Sequence, residues 1–223
     1  MKCRSLRLLI STGPTREPID PVRFISNQST GYLGTCLAAE ALTRGHQVTL
    51  VSGPTTLKPP TGARVIWVEQ ARQMQAALQR QFPKADALIM AAAVCDFQPA
   101  HPTRTKLSRQ GQLTLLLKAT PDIVGGLARR PGQLVVGFAL ETARGLDRVA
   151  AKLKAKRLDL IVGQQINGTG APFGKRPVKA VFLDAFGRVK RLGRTSKRAL
   201  ARELLDEIEG LWYRRISAGG DTG

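Results

Sequence analysis

An α/β fold, built as a Rossmann-like, mostly parallel sheet with helices on both faces plus a C-terminal β-hairpin and helix, is predicted by three observations in this 223-residue sequence. Residues 85–94 (ADALIMAAAV) and 133–138 (QLVVGF) are apolar at consecutive positions, as strands covered on both faces must be. The segments between such runs carry apolar residues at helical spacing instead. Near the end, residues 178–183 and 189–192 turn through Asp184 and Gly187 as a hairpin, ahead of one last helical stretch.

Taken in order, the first strand is the apolar run 8–10, which ends in Ser11, Thr12 and Gly13, and a periodic helix resumes only near Leu33, with Leu37, Ala41 and Leu42 on one face. The loop between them far exceeds the roughly 2 to 6 residues usual between strand and helix, and loops that long tend to be functional or disordered. Pro14, Pro18 and Pro21 stiffen this one, while Ser26, Asn27, Ser29 and Thr30 place polar groups just ahead of Gly31 and Gly34. A helix N-terminus offers free N–H groups to anions, so Gly13, Ser29, Thr30, Gly31 and Gly34 are expected to form an anion-binding loop.

Arg44 and Gly45 stop the first helix, and residues 46–51 (HQVTLV) form a second strand ended by Ser52, Gly53 and Pro54. A dinucleotide site would need a tight G-x-G-x-x-G after the first strand and a carboxylate near the end of the second; neither is present, which disfavours a nicotinamide-dependent reductase. Residues 63–68 read as a third strand and 71–81 as a helix. The run 85–94 delivers Cys95, Asp96 and Phe97 at a strand's carboxyl end, where open α/β sheets place their ligands. Residues 98–111 form a polar, basic loop containing Arg104, Lys106 and Arg109, and 113–117 reads as a strand. Thr120, Pro121 and Asp122 have the form of a helix start. After the strand 133–138, a helix is expected over 143–157, with Lys152 and Lys156 one turn apart; on spacing alone that pair reads as a solvated face. A strand at 158–162, a loop at 163–175, the hairpin and a helix over 196–215 complete a single domain of residues 1–216, with 217–223 as a disordered tail.

The composition narrows the function. Lys and Arg number 35 against 16 Asp and Glu, a net charge of +19. That excess is spread along the chain, and only 5% of residues are aromatic, so the stacking stripe of a single-strand nucleic-acid binder is missing. Cys3, Cys36 and Cys95 are odd in number and lack a CxxC pair, which argues against a disulfide framework or a structural zinc site. No run approaches the roughly 18 to 20 apolar residues needed to span a bilayer, so a cytoplasmic protein without membrane association is expected.

The segment GPTREPIDPVRFISNQSTGYLG resembles the opening of the phosphopantothenoylcysteine synthetase (phosphopantothenate–cysteine ligase) family, bacterial type. The likeness continues through VTLVSGP, AAAVCDF, Lys106, TPDIV, GFALET and the paired lysines, and fades after Val162. The resemblance implies a Rossmann-like homodimer of coenzyme A biosynthesis that joins 4′-phosphopantothenate to L-cysteine through an acyl-nucleotide. CTP with Mg2+ is the cosubstrate implied for the typical bacterial form, with ATP used by other members. By residue, it implies catalytic roles for Lys106 at the α-phosphate, Asn27 at the acyl end, and Arg23 near the dimer interface and the second half-reaction. Met90, Ala91, Ala92, Asp96, Pro121, Asp122, Ile123, Val124, Phe138, Lys152 and Lys156 match nucleotide-contacting positions, and no metal ligands are assigned. The usual Lys-x-Lys-Lys of the flap is Lys106-Leu107-Ser108-Arg109 here, and Gln164 stands where the family has Asn. The family is often fused to a flavin-dependent decarboxylase, which implies a separate decarboxylase as a partner. Two readings from other classes stay open: a basic nucleotide- or nucleic-acid-binding module, and a degenerate member without turnover.

Overall fold

Strands that are apolar on both faces can be satisfied only in the middle of a sheet with helices on each side. The computed structural model, which describes residues 5–109, 111–141, 146–165 and 173–219, is organised in that way. Its elements in chain order are β1 (Arg7–Thr12), β2 (Arg16–Pro18), β3 (Phe24–Ser26), α1 (Tyr32–Thr43), β4 (Gln47–Ser52), β5 (Arg64–Trp67), α2 (Ala71–Gln81), β6 (Ala87–Met90), β7 (Phe97–Pro99), β8 (Leu117–Ala119), β9 (Leu134–Glu141), α3 (Leu146–Ala155), β10 (Leu160–Gln165), β11 (Val178–Asp184), β12 (Val189–Thr195) and α4 (Lys197–Gly219).

Eight strands form the central sheet in the order β12-β11-β10-β9-β6-β1-β4-β5. The six from β10 to β5 run parallel, and β11 and β12 close one edge antiparallel. Neighbouring residues on the inner strands feed opposite cores: Ile10, Ile89, Val136 and Val162 pack under α1 and α4, while Leu9, Leu88, Val135 and Ile161 pack under α2 and α3. Each such side chain contributes ~1.5–3 kcal/mol on burial, which fixes the strand register. Helix α4 is also tied to α1 by polar contacts. Arg44 reaches Glu40, Asp206 and Glu209, and His46 accepts the Leu6 N–H at Nδ1 (3.2 Å), so its Nε2 carries the proton that meets Glu209 (2.9 Å).

From β1 the chain passes through α1 to β4 and β5 on one side, then crosses by α2 to β6 on the other side of β1. The loops leaving β1 and β6 therefore diverge at their carboxyl ends and open a crevice, the place where open α/β sheets bind ligands.

Five expectations need correction. The long loop after β1 contains a two-stranded ribbon, β2 with β3. The strand expected at 113–117 is instead β8, at Leu117–Ala119, paired antiparallel with β7. Residues 111–119 are all exposed, so no buried face registers the apolar pattern there. Thr120, Pro121 and Asp122 begin a single turn and not a helix. The Asp122 carboxylate accepts the Gly125 N–H at 3.1 Å, and two successive glycines each cost about 1 kcal/mol in a helix. Finally, β10 runs on through Gln165, which draws Gln164 out of the expected loop and into the sheet. Helix α4 continues to Gly219, past the expected start of the tail at Ser217. The expected first residues of the 143–157 helix, most of the 163–175 loop and residues 220–223 lie outside the described residues. No described helix is long and apolar enough to cross a membrane.

Candidate active site

The two loops that leave the switch point are stitched together. The Ala93 N–H donates to the Gly13 carbonyl (2.9 Å) and the Thr15 N–H to the Ala93 carbonyl (3.3 Å), while the Cys95 N–H donates to Thr15 Oγ1 (3.0 Å). The turn after β4 presses against this seam, since a Cβ on Gly53 would stand 1.8 Å from the Pro14 carbonyl oxygen. Glycine at position 53 is thus a packing requirement.

Two buried carboxylates then fix the proline-rich loop. Glu17, 1% exposed, accepts the Ala71 N–H (2.8 Å) and so caps α2 from a distance. Asp20 accepts the N–H groups of Val22 (2.8 Å), Arg23 (2.8 Å) and Leu107 (3.2 Å), and its other contacts are Arg23 Nε (2.9 Å) and Nη2 (2.6 Å). Desolvation opposes ionisation of Asp20, yet these donors hold its carboxyl far below the usual carboxylate range. Arg23 Nη2 also donates to the Leu107 carbonyl (2.6 Å), and the Thr103 N–H to the Ile19 carbonyl (3.0 Å). The Asp20–Arg23 pair therefore clamps the basic segment that carries Lys106.

At the start of α1, Gly31 holds the N-cap position with φ 75°, a left-handed conformation that glycine adopts without strain. Thr12 Oγ1 donates to the Gly31 carbonyl (2.9 Å), and Gly34 packs directly on the Thr12 side chain. The Gly31 N–H is met by Ser29 Oγ (3.3 Å) and the Tyr32 N–H by Thr30 Oγ1 (3.4 Å). Ser29, Thr30 and Gly31 face the crevice; Gly13 and Gly34 lie behind them and set the backbone spacing.

The crevice is a cleft of about 530 Å³. Asn27 stands on one wall, where its Nδ2 donates to the Ala93 carbonyl (2.9 Å). Met90, Ala91 and Ala92 line the end of β6, Phe138 comes from β9, and Asp96, Pro121, Asp122, Ile123 and Val124 continue the lining. Lys152 and Lys156, which spacing alone read as a solvated face, both line the cleft. Lys152 Nζ donates to the Phe138 carbonyl (2.9 Å) and Lys156 Nζ to Asp122 Oδ2 (2.5 Å). Burial works against the Asp122 charge, but the Lys156 ammonium and the Gly125 N–H hold its carboxyl below the ordinary range. An apolar floor beside two cations, a backbone-anchored amide and two carboxylates suits an elongated ligand with an anionic portion.

Most of the residues singled out in the sequence thus meet at one cleft. Arg23 and Lys106 do not line it: Arg23 sits behind the loop in the Asp20 clamp, and Lys106 is exposed on the clamped segment. Among the cleft residues with no assigned role are two polar ones contributed by the sheet and the last helix, Gln164 on β10 and Lys197 at the first position of α4. Lys197 gave no signal, because a lysine after a serine at a helix start looks solvated. The substitution of Gln164 for the resemblance's Asn was a signal, though not of burial. Among the described residues no group of three His, Cys, Asp or Glu side chains is placed to hold a metal ion.

Comparison with known proteins agrees with this architecture. Residues 3–211 match the family model described as DNA/pantothenate metabolism flavoprotein C-terminal domain. The chain is 39% identical over 206 residues to a cysteine/cysteine sulfinic acid decarboxylase from an unknown prokaryotic organism, covering 91% of this chain and 57% of that protein. It is 40% identical over 207 residues to the coenzyme A biosynthesis bifunctional protein CoaBC of Bacillus subtilis, covering 92% of this chain and 51% of that one. The chain therefore spans little more than half the length of these curated relatives. The crystal structure of the C-terminal domain of a coenzyme A biosynthesis bifunctional protein CoaBC superposes with a TM-score of 0.81 at 33% identity, covering 96% of this chain and all of that domain. With a family model matched over nearly the whole chain and a solved domain superposing along its length, the chain belongs to the DNA/pantothenate metabolism flavoprotein C-terminal domain family, the phosphopantothenoylcysteine synthetase family that its opening segment resembles.

Proposed function

We propose that this chain is a ligase of coenzyme A biosynthesis that joins 4′-phosphopantothenate to L-cysteine through an acyl-nucleotide, with CTP as the nucleotide in preference to ATP. One observation carries the reading: Asn27, from the proline-braced loop, and Lys152 and Lys156, from α3, face a single cleft at the switch point although they are far apart in the chain. Lys152 and Lys156 supply positive charge for the nucleotide, beside the apolar floor of Met90, Ala92 and Phe138. Asn27, fixed by Ala93, holds the acyl end of the activated carboxylate. In the first step the substrate carboxylate attacks the α-phosphorus and pyrophosphate leaves; in the second the amine of cysteine displaces the nucleotide monophosphate and forms the amide. Charge develops on phosphate oxygens in the first step, and cations already positioned at the cleft stabilise it.

Lys106 serves that step when its segment swings about the tethers at Thr103 and Leu107, or when a second subunit presents its own copy. A homodimer is the assembly we propose. It is supported by the ribbon of β7 and β8, where Phe97, Leu116 and Leu117 are 56%, 68% and 42% exposed, a large apolar surface for a solitary chain. Magnesium enters as the counterion of the triphosphate, with Asp96 the cleft carboxylate outside any described ion pair. The remaining proposals are a cytoplasmic location and a decarboxylase acting on the product, as a fused or separate partner.

The test is to supply phosphopantothenate, CTP or ATP and magnesium without cysteine, and to weigh the trapped species. A mass equal to an acyl-cytidylate, with one pyrophosphate released per site, is the expected result. Absence of pyrophosphate with either nucleotide, cysteine present or not, rejects the ligase; retained nucleotide binding would then favour a member without turnover.

A further inference from the structure

Gln164 breaks an apolar column of the sheet. Alternate residues of a strand share a face, so Leu160, Val162 and Gln164 of β10 all belong to the α1–α4 side. Val162 lies in register with Phe138 on β9 and Phe182 on β11, and Gln164 with Leu140 and Ala180. Leu160 and Val162 end in the packed core, whereas Gln164, one step further along, lines the cleft together with Phe138 and Leu140. The chemistry above gives it no role.

The amide is costly where it stands. Gln164 is 7% exposed, and its Nε2 is buried without a hydrogen-bond partner. A donor in that state has given up water and gained nothing in return, so an apolar side chain would serve the fold better at this position. What the position adds is a place at the cleft. The terminal torsion of glutamine is broad and roughly two-fold, so the amide turns towards an occupant at little cost. Lys152 and Lys156 reach the cleft from α3, on the other side of the sheet, and address the charged part of a ligand there. Flanked in the sheet by Leu140 and Ala180, the Gln164 donor suits an uncharged acceptor, because a neutral amide does not repay the desolvation of an anion.

We propose that Gln164 is a specificity-determining residue whose Nε2 donates to an uncharged carbonyl oxygen of a bound substrate. The identity of that substrate rests on the ligase reading, in which phosphopantothenate carries an amide carbonyl and CTP a base carbonyl, whereas the adenine of ATP has none. A ligand that brings the carbonyl satisfies the buried donor, and one that lacks it leaves the donor unmet. Gln164 thus selects and holds the ligand and takes no part in bond making.

The experiment titrates phosphopantothenate, CTP and ATP separately into the wild type, Q164M and Q164L, and then measures KM and kcat. Methionine keeps the length of glutamine and leucine is the smaller alternative; neither carries a donor. Both variants are expected to melt at or above the wild-type temperature, because an unmet donor has been removed. At least one of phosphopantothenate and CTP should bind about 10-fold more weakly to them, with ATP unaffected, a matching rise in KM for the weakened substrate and little change in kcat. Weakening of phosphopantothenate alone assigns its amide carbonyl, and weakening of CTP alone assigns the base. Equal weakening of CTP and ATP overturns the proposal, since the contact would then lie at the ribose or phosphates that the two share. A fall in melting temperature in both variants overturns it as well, by making the amide part of the fold. Unchanged binding of all three ligands in a variant that keeps the wild-type melting temperature also overturns it, and normal turnover beside that result leaves the ligase intact. A wild type that never turns over, yet binds phosphopantothenate or CTP in a manner that depends on Gln164, rejects the ligase and keeps the role of Gln164. A wild type that binds none of the three rejects both.

Discussion

Replacing Gly34 by alanine probes the joint between the binding loop and α1. A Cβ at position 34 would stand 2.2 Å from Thr12 Oγ1 and 2.4 Å from Thr12 Cβ, and the side chain it meets is held by the 2.9 Å bond to the Gly31 carbonyl. Thr12 cannot yield by rotating its hydroxyl alone, because its Cβ is in the way too, so α1 must shift at its first turn. Overpacking a tight site costs about 1–3 kcal/mol, and loss of the Thr12 hydrogen bond adds about 1 kcal/mol. For a chain of this size that corresponds to a fall in melting temperature of roughly 4–16 °C. Gly111→Ala is the control, since nothing lies within 4 Å of its Cβ position. Scanning calorimetry of the two variants reads the difference, and titration with CTP reads whether the displaced Ser29–Gly31 wall also loses ligand. If Gly34→Ala melts with the wild type and the control, Thr12 does not fix the start of α1 and the reasoning fails.

Asn27→Asp sets a carboxylate oxygen against the Ala93 carbonyl, which now accepts from the amide at 2.9 Å, and should reduce turnover by about 100-fold; stopped-flow measurement of pyrophosphate and of amide product would identify the impaired step, and wild-type rates in both would remove Asn27 from the chemistry. Asp20→Asn removes the acceptor shared by Arg23 and Leu107, so the Leu107 amide should exchange with deuterium faster while the β4 amides stay protected; equal exchange would mean the clamp does not restrain the Lys106 segment. Because the folded pKa of Lys197 lies below its unfolded value, its protonated form opposes folding at pH below about 8, and the unliganded protein should gain stability as pH rises from about 8 towards 10.5. The gain from this group is at most about 1.4 kcal/mol per pH unit, and K197M should lack that part of it; parallel pH–melting curves for the two proteins would contradict the assignment.

Much of the fold is written locally. Residues 87–90 and 134–136 are apolar without interruption because helices cover both their faces, and that pattern alone identifies a parallel sheet. Where burial gives no register, local reading went astray. Residues 111–119 contact no covered face, and the helix-starting Thr120, Pro121 and Asp122 run straight into Gly125 and Gly126. The candidate site divides along the same line. Asn27, Asp96 and the paired lysines stood out through motif order. Glu17, Asp20 and Lys197 did not, because a capping bond to α2, a clamp on Leu107 and a desolvated ammonium are all made with residues distant in sequence.

By itself, then, the sequence determined the layered α/β class, the rigidity of the proline loop and the family, since hydrophobic periodicity, proline stiffness and motif order are properties of neighbouring residues. Only the tertiary structure decided that Lys152 and Lys156 face a cleft and not solvent, that Arg23 clamps a loop, and that Gln164 and Lys197 share one cavity. The physical reason is that desolvation and charge pairing depend on which surfaces the sheet brings together, and the crossover from β5 to β6 sets that for residues far apart along the chain.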